Sequence, residues 1–214
     1  MKRVVITGAG TVNALAQDVP GTLKAFQEGR CGISALDIPD IDRLSIKIGG
    51  QVHGWNPEVH FNRQQIVLLD RFAQFTLLAA RQAMAQSGLN FDGCLGDEAG
   101  VVLGTAGGGV NTWDENYRAV YEEHKNRVHP FVVPKLMNNA ATSHVSMEFN
   151  LRGPSYSVAT ACASSNHAMG QAFSMVRSGM SRAMVTGGSE AMLCFGGIKA
   201  WEGLRVMSKE ACRP

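Results

Sequence analysis

The stretch GPSYSVATACASSNHAMGQAFSMVRSGMSRAMVTG, residues 153–187, runs from a strand through a helix into a further strand. Gly153 to Ala161 has strand character, Cys162 to Ser178 reads as helix, and Arg182 to Gly187 as strand again. Strands that alternate with helices predict an α/β layer around a largely parallel sheet. Upstream, Ala99 to Leu103 is another buried-strand run, ended by the loop GTAGGGV at Gly104 to Val110. From Ile66 to Ser87 the apolar residues Leu69, Phe72, Phe75, Ala79, Ala80, Ala83 and Met84 recur at three- and four-residue steps, which predicts one long helix ending at Gly88. Arg3 to Thr7 is a short β-branched run closed by Gly8 and Gly10, the pattern of a buried strand, and an amphipathic helix is expected over Pro20 to Glu28. Residues Trp113 to Lys125 and Lys135 to Phe149 read as helices. The HPFVVP segment at His129 to Pro134 between them reads as irregular because proline removes a donor. A last helix-like stretch lies near Lys199 to Met207.

The chain has 214 residues, 45% of them hydrophobic and 18% charged, enough apolar material for a core of one or two domains and the opposite of a disordered composition. Lys and Arg number 20 against 18 Asp and Glu, so the net charge of +2 gives no electrostatic reason to expect nucleic acid or an anionic membrane as a partner. The 24 glycines point to many tight turns and close backbone approaches. Five widely spaced cysteines (Cys31, Cys94, Cys162, Cys194, Cys212) form no C-x-x-C pair, so neither a disulfide framework nor a zinc site is expected and a reducing cytosol fits. The N-terminus turns glycine-rich too soon for a signal sequence, and no apolar run approaches the ~18–20 residues of a membrane span. The expectation is a soluble, cytoplasmic protein. The chain stops at ACRP without a closing strand, which reads either as an irregular terminus or as one half of something larger.

The glycines of TGAGTVN invite a dinucleotide-binding reading, but Asn13 stands where the fingerprint needs a small residue, and a tight strand-to-helix turn is the better account. None of the six histidines pairs with a Cys, His or carboxylate at a metal-ligand spacing. His144 and His167 read as hydrogen-bonded helix residues. Ser143 and His144 are not a nucleophile and its base, since neighbours on a helix point about 100° apart. The chemistry concentrates in SVATACASSNHAMG, residues 157–170, where small residues surround Cys162 just where a helix should begin. Unpaired helix N–H groups and the positive end of the dipole favour thiolate over thiol there. The dipole supplies about 0.3–2 kcal/mol, roughly one pKa unit, so a further base or cation normally assists. On position alone Cys162 is equally a reactive thiol or a small buried hydrophobe.

Taken together, VVITGAG, EGRCGIS at Glu28 to Ser34, GTAGGGV, HPFVVPKLMNNAA, LRGPSYSVATACASSNHAMG, MVTGGSEA at Met184 to Ala191 and KAWEGLRVMSKEACRP resemble the elongating β-ketoacyl-[acyl carrier protein] synthases of the thiolase superfamily over essentially the whole chain. The closing stretch is most similar to nodulation-type synthases. The resemblance implies a thiolase-like fold in which residues 1–214 form the N-terminal half, the α-β-α layers of a five-layered α-β-α-β-α architecture. It implies that Cys162 accepts an acyl group as a thioester, its backbone N–H serving as half of the oxyanion hole, before decarboxylative condensation with a malonyl carrier protein. Gly107 then falls where a pocket residue controls chain length and glycine leaves space. Val132 falls where a side chain enters the neighbouring subunit's pocket, and Trp201 where an aromatic lines the tunnel; a turn, ordinary core and simple packing are the respective alternatives.

The resemblance further implies acyl carrier protein, with phosphopantetheine-linked acyl and malonyl groups, as partner, and a homodimer formed through strands near the nucleophile. Neither cofactor nor metal is implied. The family's docking cluster maps to Gln64, Val67 and Leu68, leaving Arg63 and Arg71 nearby and Arg205 at a common docking position. Its two catalytic histidines, its lysine and its gating loop belong to a second half outside these residues. A chain lacking that half is expected to expose an apolar face around residues 162–178. Two rival readings are a non-catalytic partner subunit that sets chain length and a degradative thiolase acting on coenzyme A thioesters.

Overall fold

Every residue of the strand Ala99–Gly104 is buried, as expected of a central strand covered on both faces. The structure, a computed structural model, describes residues 2–209. Along the chain come α1 (Val19–Gln27), a two-stranded antiparallel ribbon of β1 (Ser34–Ala35) and β2 (Ile48–Gly49), α2 (Arg63–Leu68), α3 (Arg71–Ser87) and α4 (Cys94–Glu98). They are followed by β3 (Ala99–Gly104), α5 (Val110–Tyr121), α6 (Val132–Leu136), α7 (Ala140–Glu148), β4 (Ser155–Val158), α8 (Ser164–Ser178), β5 (Ala183–Gly188) and α9 (Phe195–Glu202).

The main sheet has the order β4-β3-β5 and both pairings are parallel, with Val101 opposite Ser155 on one side and Val185 on the other. Because side chains alternate along a strand, Ala99, Val101 and Leu103 enter one core with Phe72 and Phe75 of α3 and Ala141 and Val145 of α7. Val102 points the other way, onto Val158 and Ala168 of α8. Helices thus cover both faces, and the expected α/β fold with α-β-α layers is what the chain adopts. On the exposed side of α8, Met169 and Phe173 stand among Asn166, His167, Gln171 and Ser174, so the apolar face expected around residues 162–178 is two side chains rather than a continuous patch.

Several elements differ from the sequence reading. Arg3 to Thr7 is not a strand; it is the residues just after it that lie along α3, where Gln86 and Gln82 side-chain oxygens accept the amides of Ala9 (2.7 Å) and Thr11 (3.1 Å). Val5 and Ile6 are exposed. Gly8 and Gly10 permit this approach, since a Cβ on either would stand about 2 Å from a carbonyl oxygen of α3. The single helix expected over 66–87 is two helices, broken because Asp70 caps α3. Its buried carboxylate accepts the Phe72 amide (3.2 Å), the Thr112 amide (2.8 Å) and the Thr112 hydroxyl (2.6 Å). The helix expected over 113–125 begins at Val110 and ends at Tyr121.

HPFVVP proves partly helical, since Pro134 is the third residue of α6 and a first-turn N–H needs no helical acceptor. The helix expected over 135–149 is interrupted at 137–139, where the glycine loop approaches. A Cβ on Gly108 would stand 2.4 Å from Asn138 Oδ1, and the Gly109 amide donates to the Leu136 carbonyl (3.0 Å). The last helix lies at Phe195–Glu202 rather than 199–207, its first turn held by Asp114 Oδ1, which accepts the Gly196 amide (2.9 Å). Cys94, Cys162 and Cys194 are free thiols. Cys212 lies outside the described residues.

A single carboxylate joins α9 to the segment before β2. Glu202 Oε1 accepts the Ser45 amide (2.5 Å), the Ser45 hydroxyl (3.0 Å) and the Ile46 amide (3.0 Å), while Lys199 Nζ donates to Oε2 (2.9 Å). The Lys199 bond first, and the backbone donors after it, hold the Glu202 pKa down to about 2 from 4.5. A carboxyl depressed on folding stabilises above its unfolded pKa and loses that contribution as pH falls through the folded value. The clamp is therefore intact above pH 4.5 and lost as pH falls toward about 2. An NMR titration of the Glu202 carboxyl carbon is expected to give a midpoint near 2, tracked by the Ser45 amide shift. A midpoint near 4.5 in the native protein would refute the clamp.

Candidate active site

Between β4 and α8 the chain makes a tight turn over Thr160 to Ala163. Ala161 is left-handed, with φ of 51°, a conformation that costs a non-glycine residue about 1–2 kcal/mol. Ser164, buried at the start of α8, over-determines the turn: its hydroxyl donates to the Ala161 carbonyl (2.6 Å) and accepts the Thr160 amide (2.8 Å). Backbone bonds from Ala163 to Thr160 (3.2 Å) and from Ser164 to Ala161 (3.1 Å) complete it. The strained residue immediately precedes Cys162, whose thiol is exposed and stands two positions ahead of the first helical residue. Cys162 is paired with Thr160 in an isolated parallel bridge across the turn.

Two glycines let the head of α8 settle on the sheet. A Cβ on Gly104, at the end of β3, would stand 2.2 Å from the Ser164 carbonyl carbon; one on Gly188, at the end of β5, would stand 2.7 Å from Ser165 Cβ. The GTAGGGV loop leaving Gly104 then touches three other parts of the site. It meets the head of α8 at Gly104, α6 through Gly108 and Gly109, and the segment before α9 through Gly107. Val132, the first residue of α6, is half-buried.

The room beside Gly107 is filled: a Cβ there would stand 2.9 Å from Val110 Cγ2, 3.1 Å from Met192 Sδ and 3.2 Å from Met192 Cε. The absence of a side chain at 107 is thus offset by a flexible thioether. Trp201 lies on α9 and is 40% exposed. At the start of that helix, the guanidinium groups of Arg43 (4.6 Å) and Arg118 (5.0 Å) both lie over the ring of Phe195.

Arg63 opens α2, Arg71 opens α3, and Arg205 follows α9 with φ of 55°; all three are exposed. His144 is half-buried on α7, and burial lowers its pKa. His167 is exposed on α8, beside an open groove of about 720 Å³ that also meets Tyr156 and Met180. Met192 escaped sequence reading, and Ser164 reads in the sequence only as a small neighbour of Cys162. Ser164 carried a signal, as a hydroxyl at a helix start; Met192 carried none. Among the described residues no helix is long and apolar enough to cross a membrane.

A parallel sheet between helical layers, with a cysteine turn at the head of the helix between β4 and β5, defines the thiolase-like ketosynthase class of fold. The chain belongs to the family described as beta-ketoacyl synthase, N-terminal domain, which it matches over residues 1–214. It is 39% identical over 213 residues to nodulation protein E of Rhizobium sp. (strain N33), covering 100% of this chain and 53% of that protein. It is 33% identical over 218 residues to 3-oxoacyl-[acyl-carrier-protein] synthase 2 of Staphylococcus aureus (strain N315), with the same coverage of 100% and 53%. The chain therefore spans about half the length of the curated relatives it matches. Among solved structures, a beta-ketoacyl synthase from Burkholderia phymatum STM815 superimposes with a TM-score of 0.84 at 26% identity, over 98% of this chain and 52% of that one. The ishigamide ketosynthase/chain length factor gives 0.87 at 20% identity, again over 98% and 52%.

Proposed function

We propose that residues 1–214 are the nucleophile-bearing N-terminal domain of a cytoplasmic, homodimeric 3-oxoacyl-[acyl carrier protein] synthase, with Cys162 as acyl acceptor. The observation that carries this reading is the exposed thiol of Cys162 at the head of α8, immediately after the left-handed Ala161. The Cys162 thiolate attacks the thioester carbonyl of an acyl group on a carrier protein's phosphopantetheine arm. The negative charge that develops on the carbonyl oxygen is met by the Cys162 amide, the kind of preorganised donor that lowers acyl-transfer barriers most. Collapse of the tetrahedral adduct breaks the bond to the phosphopantetheine sulfur, which leaves as thiolate and takes up a proton, and the acyl chain remains on Cys162.

The acyl chain then runs past Gly107 and Met192, with Val132 reaching toward a second subunit and Trp201 along the tunnel. Arg63, Arg71 and Arg205 supply positive charge for docking an acidic carrier. Malonyl decarboxylation and condensation are completed by groups outside these residues, so residues 1–214 alone form the thioester and do not elongate it.

The test is to incubate the protein separately with acyl-carrier-protein and acyl-coenzyme A donors and locate the label by peptide mass spectrometry. Label on Cys162 from the carrier donor is the expected result. No label would indicate the non-catalytic partner subunit, and label only from coenzyme A would indicate a thiolase. Malonyl-dependent elongation by residues 1–214 alone would overturn the division of labour.

A further inference from the structure

We propose that Glu190 is a positioning residue whose carboxylate fixes the loop over residues 105–108 and, through it, the acyl-chain length accepted beside Cys162; the length effect rests on the function proposed above. Glu190 lies two residues past β5. The Thr105 hydroxyl donates to its Oε1 (2.6 Å), the Ala106 amide donates to the same oxygen, and the Gly107 amide lies 3.4 Å from Oε1 and 3.3 Å from Oε2. Thr105 Oγ1 in turn accepts the Gly108 amide (3.1 Å). Three consecutive residues thus turn donors toward one carboxylate, the way successive backbone amides hold an anion. A loop this rich in glycine has little stiffness of its own, and its shape is imposed by that anion.

The segment bearing Glu190 is anchored without help from the carboxylate. The Ser189 amide donates to the Gly104 carbonyl (3.1 Å), the Ser189 hydroxyl to the Phe72 carbonyl (2.9 Å), and Asn111 Nδ2 to the Ala191 carbonyl. Removing the carboxylate therefore releases the loop and leaves the anchor in place. Met192, which fills the room beside Gly107, is two residues beyond Glu190, so one short segment both holds the loop and occupies the space next to it. Freed from Glu190, Gly107 moves relative to Met192 and the contact between them is no longer fixed.

The experiment compares Glu190→Ala and Glu190→Gln with the native protein. Glutamine keeps an oxygen able to accept from Thr105 and Ala106; alanine does not. The readout is the ratio of Cys162 acylation rates with hexadecanoyl and hexanoyl carrier protein. E190A is expected to change that ratio by about fivefold or more, the size of a modest pocket rearrangement, with E190Q close to native. A ratio in E190A equal to native, or shifted equally in E190Q, would overturn the proposal. Amide hydrogen exchange at Ala106 and Gly107 reads the clamp independently of acylation, and exchange about tenfold faster in E190A than in E190Q is expected. Equal exchange in the two variants would overturn the clamp itself. Absence of acylation in the native protein would instead sink the functional reading, and the exchange experiment would still decide the clamp.

Discussion

Cys162→Ala should abolish acyl loading from the carrier protein, with the rate falling by roughly 10³-fold or more, while the melting temperature stays at its native value. The two halves of that expectation have different physical origins. The side chain is exposed, and surface substitutions away from special features change stability by only about ±0.5 kcal/mol. The chemistry, by contrast, has no substitute nucleophile at that place: Thr160 and Ser164 flank the turn, but the Ser164 hydroxyl is buried and committed to Ala161 and Thr160. Cys162→Ser keeps the geometry and replaces the sulfur by a hydroxyl that is far less ionised near neutral pH, so a loss almost as deep is expected. Loading that survives in either variant, measured by intact mass after a fixed incubation, would place the acceptor elsewhere and remove the basis of the functional reading. The strained backbone supports the same view, because Ala161 at φ of 51° immediately before the thiol is a cost that persists where the surrounding structure over-determines it, commonly at functional sites.

How much of this was legible in the sequence depends on the range of the interactions involved. The succession β4, α8, β5 follows from local pattern, because burial alternates along strands and recurs at helical spacing, although Cys162, read as the first residue of the helix, stands two positions ahead of its first residue Ser164. The same logic failed at Asp70. Apolar periodicity runs straight through it, and only Thr112, distant in sequence, shows why the chain breaks there to cap a new helix. It failed again at Arg3 to Thr7, where composition says strand but no strand forms, and the chain that follows is held on α3 by two glutamines that take the amides of Ala9 and Thr11. Within the site, Gly107 could be singled out by resemblance. That its missing side chain is made up by Met192 is a contact between residues with no local relation.

The glycine at the end of β3 gives the other large effect. Gly104→Ala should lower stability by about 2–3 kcal/mol, roughly 5–10 °C in Tm, and should slow acylation of Cys162 by about 10²-fold in the molecules that remain folded. The new Cβ would stand 2.2 Å from the Ser164 carbonyl carbon, 2.4 Å from its oxygen and 2.4 Å from the Ser165 amide nitrogen. All three are backbone atoms of the first turn of α8, so no side chain can swing aside. The strand cannot retreat either, because β3 is paired on both edges and buried on both faces. The helix head must therefore move, and the Cys162 turn, tied to it through Ser164, moves with it. Gly170→Ala separates this steric effect from the general consequence of adding a methyl group. It lies within the same helix, a Cβ there meets nothing within 4 Å, and replacing a helical glycine by alanine stabilises by about 0.5–1 kcal/mol. Thermal melts of the two variants should move in opposite directions, and only G104A should lose acylation. If G104A keeps native loading, the seating of α8 on the end of β3 does not set the position of the nucleophile.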